Sequence, residues 1–115
     1  MKKVIIGFIK LKKDVNREQF EAFENRVSQY NVTLSSHERF KVLRTLEVMG
    51  NDHEAPLYDY IEIIDIHSLQ AMYHHINHDD NLKQFIQEFT AFVEYSQFLT
   101  TESIVDVQEQ VPISY

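Results

Sequence analysis

Residues 3–11, KVIIGFIKL, are apolar in both registers of a β-strand. Successive strand side chains point to opposite faces, so Val4, Ile6 and Phe8 share one face and Ile5, Ile9 and Leu11 the other. Such a strand belongs in the middle of a sheet that is covered on both sides. Gly7 interrupts the second register. A glycine inside a central strand leaves space where a side chain would stand. That space admits a flat ligand, a bulge or the tight approach of a helix.

The rest of the chain supplies cover for one face. Asn16 with Gln19 three residues later has the form of a capping box, and Phe20, Phe23, Val27 and Tyr30 recur at helical spacing. Residues 39–49, RFKVLRTLEVM, alternate as a half-buried strand. A turn-rich loop through Gly50, Asn51, Asp52 and Pro56 leads to a strand from Leu57 to Ile66. Leu69, Met72, Tyr73 and Ile76 mark a short helix. Asp79 or Asp80 caps a longer one with the stripe Leu82, Phe85, Ile86, Phe89, Phe92 and Val93, and residues 101–108 read as a last strand.

The order βαββαβ, with the second helix split, predicts one α+β domain over residues 1–115. It is a ferredoxin-like fold with a four-stranded antiparallel sheet and the first and third strands central. Helices cover one face of such a sheet. A second copy of the chain is the simplest cover for the other, and two sheets packed face to face make a dimeric α/β barrel. The short apolar tail VPISY supports the same expectation.

Composition narrows the function. A net charge of −7 argues against nucleic acid, which needs clustered Lys and Arg. The absence of cysteine removes disulfides, thiolate chemistry and cysteine zinc sites. The N-terminal run VIIGFI is closed by Lys10 and is too short for a signal peptide, and no segment reaches membrane-spanning length, so a cytoplasmic protein with no membrane partner is expected.

The candidate chemistry gathers where the third strand hands over to a helix. Tyr58, Tyr60, Glu62, Ile64 and Ile66 share a face on which Glu62 is the lone charge. Arg44 is likewise alone in the register Phe40, Val42, Arg44, Leu46, Val48. Glu62 is either a general base, with Arg44 as an anchor, or half of a structural ion pair with it. Four of the six histidines, His67, His74, His75 and His78, lie at 67–78. His74 and His78 have metal-ligand spacing but lack a third ligand, so neither metal nor cofactor is expected. Imidazole titrates near neutrality, which suits His78 to proton transfer. At least one of Tyr73, His75 and His78 is expected in the pocket, whereas His37, His53 and His67 read as solvated element ends. The catalytic candidates are therefore Glu62, His78, Tyr60 and Tyr73. Gly7, Ile9, Phe23, Val27, Arg44, Ile64, His75 and Phe89 are the candidate residues for binding a small molecule.

The segments VIIGFIKLKKDVNREQFEAF, FKVLRTLEVMG and APLYDYIEIIDI resemble the RedY-like (HapK-type) family of the dimeric α/β-barrel superfamily over roughly residues 3–100. The strand YDYIEIIDI after a proline is the most specific part. The resemblance implies a homodimer without a cofactor. It also implies cyclisation or condensation of a pyrrole- or indole-type intermediate in prodigiosin-like pigment or related secondary metabolism. A non-catalytic carrier of such an intermediate, or a cofactor-free monooxygenase, are the alternatives. Plant polyketide cyclases of the same superfamily give a more distant analogy. With Ser68 as anchor it brings His78 near a family histidine and His75 near a family tyrosine. The cyclases' catalytic histidine falls on Asn81, a departure from their pattern.

Overall fold

The computed structural model describes residues 2–110. Strand β1 spans Lys3–Leu11, helix α1 Arg17–Asn31, β2 His37–Arg44, β3 Tyr60–Ile66, α2 Leu69–His78, α3 Asp80–Phe92 and β4 Val93–Glu102. The strands lie in the order β2-β3-β1-β4, and each neighbouring pair is antiparallel. This is the ferredoxin-like α+β arrangement, with the two most apolar strands at the centre.

Local chemistry explains the boundaries. The Asn16 side chain accepts from Gln19 N at 3.0 Å, Ser68 caps α2 through Ala71 N at 3.1 Å, and Asp79 caps α3 through Leu82 N at 2.9 Å. Asp79 also ends α2, its own N–H donating to the His75 carbonyl at 2.8 Å, so one residue closes one helix and opens the next.

Three strands depart from the limits the periodicity sets. β2 ends at Arg44 instead of continuing to 49, and Gly50 at φ +80° turns a small bridge between Val48 and Asn51. β3 starts at Tyr60, because the Asp59 carboxylate is occupied by Leu11 N and Arg17, both at 2.8 Å, while Leu57 is exposed. β4 starts at Val93, eight residues before the expected start at 101, and ends at Glu102. The apolar rhythm of α3 runs into Val93 and conceals the change, and Ser96, Gln97 and Thr100 give no strong strand signal. Pairing along the whole of β1 decides it. The tail expected to be apolar, at 111–115, lies outside the described residues.

On the helix side, Ile9, Leu11, Phe20, Phe23 and Tyr60 form one core cluster, and Ile5, Ile64, Ile66 and Met72 form another. The opposite face of the sheet carries Ile6, Phe8, Ile61 and Ile63, half-buried, with Leu43 and Leu99 exposed. Among the described residues no helix is long and apolar enough to cross a membrane.

Candidate active site: a buried carboxylate pair

Residues directly opposite in antiparallel strands point to the same face, so the sheet presents cross-strand rows to the helices. One row is Val42, Glu62, Gly7 and Phe98. It lies between the row Phe40, Ile64, Ile5, Thr100 on one side and Arg44, Tyr60, Ile9, Ser96 on the other. The two core clusters flank the middle row. A cavity of about 510 Å³ opens over it, and Glu62 lies in its floor. The volume is within the ordinary range for small-molecule sites.

Gly7 serves this floor by having no side chain. A Cβ there would overlap the ring of Phe98, which lies over the glycine from the edge strand. The space expected at Gly7 is therefore filled by protein, and Phe98, which itself lines the cavity, contacts Phe89 with ring centroids 6.0 Å apart. Phe23, Phe40 and Phe85 supply further aromatic wall.

Facing Glu62 is Glu24 of α1. They are 5% and 3% exposed, and neither oxygen of Glu24 has a hydrogen-bond partner among the described residues. Burial of an unpaired carboxylate disfavours its charged form. Glu24 is pushed up to about 7 by burial, with the neighbouring Glu62 carboxyl partly offsetting it. Glu62 is raised well above the ordinary carboxylate range by burial first and by the Glu24 charge second. The pair therefore holds at least one proton at neutral pH, and the two groups titrate as a unit.

No lysine or arginine lines the cavity among the described residues. Arg44, expected opposite Glu62, instead grips Glu21 of α1 through two bonds of 2.8 and 2.5 Å. Tyr60 is on the predicted face, but its hydroxyl donates to Glu21 at 2.5 Å while its ring packs in the core. Arg44 and Tyr60 together hold Glu21 at about 2. The ion pair between Glu62 and Arg44 is thus replaced by an arginine–tyrosine clamp on Glu21, in a smaller cleft of about 290 Å³.

The other expected residues divide similarly. Phe23, Val27, Ile64, Phe89 and Tyr73 line the cavity, Tyr73 half-exposed at its border. Ile9 is fully buried in the adjoining cluster. His78 is exposed with its ring against His74 at 4.5 Å, and His75 lies 3.4 Å from Ser35 Oγ, so neither lines the cavity. Among the described residues no cluster of three metal-ligating side chains occurs.

His37 departs most from expectation: it is buried, not solvated, and lines the cavity. The β2–β3 register shifts between His37 and Arg39, leaving Glu38 as an extra residue, so His37 pairs with Ile66 on the helix face. A bulge re-aims a side chain in this way. Asn31, also buried and lining the cavity, donates to the Val27 carbonyl at 2.7 Å. Glu24 and Asn31 were legible in principle. They lie four and eleven residues after Phe20, on the same helical stripe, where polar residues on an apolar face are the signal.

The sequence model of one family, described as REDY-like protein HapK, matches residues 3–104. No curated protein sequence matches significantly. Among solved structures, HapK from Hahella chejuensis is similar with a TM-score of 0.71 and 22% identity, over 95% of this chain and 99% of that one. SnoaB from Streptomyces nogalater, a cofactor-independent oxygenase, gives 0.75 and 12% over 94% and 98%. A dimeric ferredoxin-like protein of unknown function from Thermobifida fusca gives 0.69 and 14% over 88% and 90%.

Proposed function

The chain belongs to the REDY-like HapK family, and from that premise we propose that it is a homodimeric, cofactor-independent tailoring enzyme for a flat aromatic intermediate of secondary metabolism. The substrate class is a pyrrole- or indole-type intermediate of a prodigiosin-like or related pathway, and the reaction is an acid/base-directed cyclisation or condensation. The observation that carries this reading is the buried carboxylate pair, unpaired by any cation, in the floor of an aromatic-walled cavity.

Two carboxyls with separated affinities for the proton are suited to opposite tasks. Glu62, kept protonated, donates a hydrogen bond to an oxygen or nitrogen on which charge develops. Glu24, near neutrality, accepts a proton from an acidic C–H or N–H and returns it later in the cycle. The phenylalanines hold the ring and exclude water, which strengthens both interactions. Support for the dimer comes from the apolar face away from the helices, from the exposed Ile104, Val105 and Val107 that follow β4, and from dimeric structural neighbours.

The test is anaerobic turnover of bis-pyrrole and indole intermediates by protein purified without added metal. Conversion that is lost in Glu24→Gln supports the reading. Binding without conversion at any pH would make the protein a carrier, and conversion that needs oxygen would make it an oxygenase.

A further inference from the structure

The cavity has a second polar pole that the acid–base reading leaves unused. His37 pairs with Ile66, four residues along β3 from Glu62. At about 3.3 Å per residue the two positions are separated by about 13 Å of strand. Between them lies the apolar row Phe40, Ile64 and Ile5.

His37 is built into this position. The bulge at Glu38 turns it onto the helix face, and Ser36 Oγ, fully buried, lies 2.8 Å from its Nδ1. Its backbone N–H donates to the Leu34 carbonyl at 3.1 Å. His37 as a whole is 6% exposed, and its other ring nitrogen has no hydrogen-bond partner among the described residues yet is not fully buried, so it stays open to a ligand or to water in the cavity. A fixed polar atom that faces an otherwise apolar cavity gains from a ligand group that replaces its water. Burial first, and the neighbouring His75 second, pull the imidazolium down to about 4, so this contact is a neutral one.

We propose that His37 is the second polar contact of the cavity, and that the ligand is an elongated flat aromatic molecule with hydrogen-bonding groups at both ends. One end meets Glu24 and Glu62, the other meets the free ring nitrogen of His37, and the rings between lie along Phe40 and Ile64. The inference rests on the acid–base reading for the near end and adds the length and the far-end chemistry of the substrate. A one-ended ligand leaves the imidazole to water alone.

The experiment is a fluorescence titration with two stilbene probes, 4,4′-dihydroxystilbene and 4-hydroxystilbene, which differ in one terminal hydroxyl. Wild-type protein should bind the two-ended probe about tenfold more tightly, the worth of one buried hydrogen bond. His37→Leu should abolish that difference while keeping the affinity for the one-ended probe, and His37→Gln should restore part of it. The one-ended affinity also shows that each variant is folded. Equal affinity of wild type for both probes, or an equal loss of both in His37→Leu, overturns the role of His37. Failure of wild type to bind either probe defeats the aromatic-site reading itself, and the far-end assignment with it.

Discussion

Whether a side chain near the sheet does chemistry or only holds structure is decided by what satisfies its polar atoms. Arg44, Tyr60 and Glu21 satisfy one another. Glu24 is satisfied by nothing in the described protein. Glu24→Gln and Glu62→Gln should each keep the fold and lower turnover by about a hundredfold or more, the usual worth of a positioned acid or base. Tyr60→Phe should leave turnover within a few-fold and cost about 1 kcal/mol of stability, because it removes one bond to a carboxylate that Arg44 still holds. Steady-state kinetics and melting on the same preparations separate the two outcomes. Glu62 was legible because strict alternation isolates a charge on an apolar face. Glu24 is a fainter signal, because the 3.6-residue period of α1 lets a charge beside Phe20, Phe23, Val27 and Tyr30 fall at the edge of the stripe as easily as within it.

At the level of elements, the alternation of β1 and β3 placed both strands correctly in the centre of the sheet, since doubly apolar strands have few other places to go. Edge strands are harder to read. Their pairing partner lies on one side only, and β2 and β4 each contain a register shift that breaks the period of two. Those shifts put His37 on the helix face and let Val93 pair with Leu11, and a period of two predicts neither. The Gly7–Phe98 contact belongs to this scale. Gly7→Ala should displace the Phe98 ring, destabilise the protein by about 1–3 kcal/mol as overpacking does, and weaken binding of aromatic probes. Adding Phe98→Ala should recover much of the stability lost. A double-mutant cycle measured by urea unfolding reads this coupling, and additive effects would show that the ring does not depend on the glycine.

For the whole molecule, the radius of gyration of 16.2 Å exceeds the about 13 Å expected of a compact chain of this length. The excess is consistent with exposed apolar segments at Leu46, Met49 and Leu57 and after β4. In the proposed homodimer these segments and the outer sheet face have a partner. Ile6→Glu or Phe8→Asp should yield monomer or unfolded protein in equilibrium sedimentation, and a wild-type monomer at micromolar concentration would refute the dimer. The sheet order followed from the sequence of periods. The cavity did not, because it arises where residues from all four strands and all three helices meet and no local pattern records that meeting.

The pair of carboxyls is the centre of the account, and its signature is the pH dependence of folding stability. Glu24 and Glu62 bind protons more tightly folded than unfolded, so their contribution is complete below about pH 4. It declines as pH rises, through about 7 for Glu24, and Glu62, raised in the same direction by burial, adds to the decline. His37 acts in the opposite sense, costing stability as pH falls from about 6.5 towards 4. Urea unfolding between pH 5 and 8, at fixed protein concentration, should therefore give a wild-type stability that falls with pH. The double variant Glu24→Gln, Glu62→Gln should give one that rises to about pH 6.5 and then levels. Parallel profiles for the two proteins would mean that these carboxyls are ordinary ionised groups, and would contradict the account.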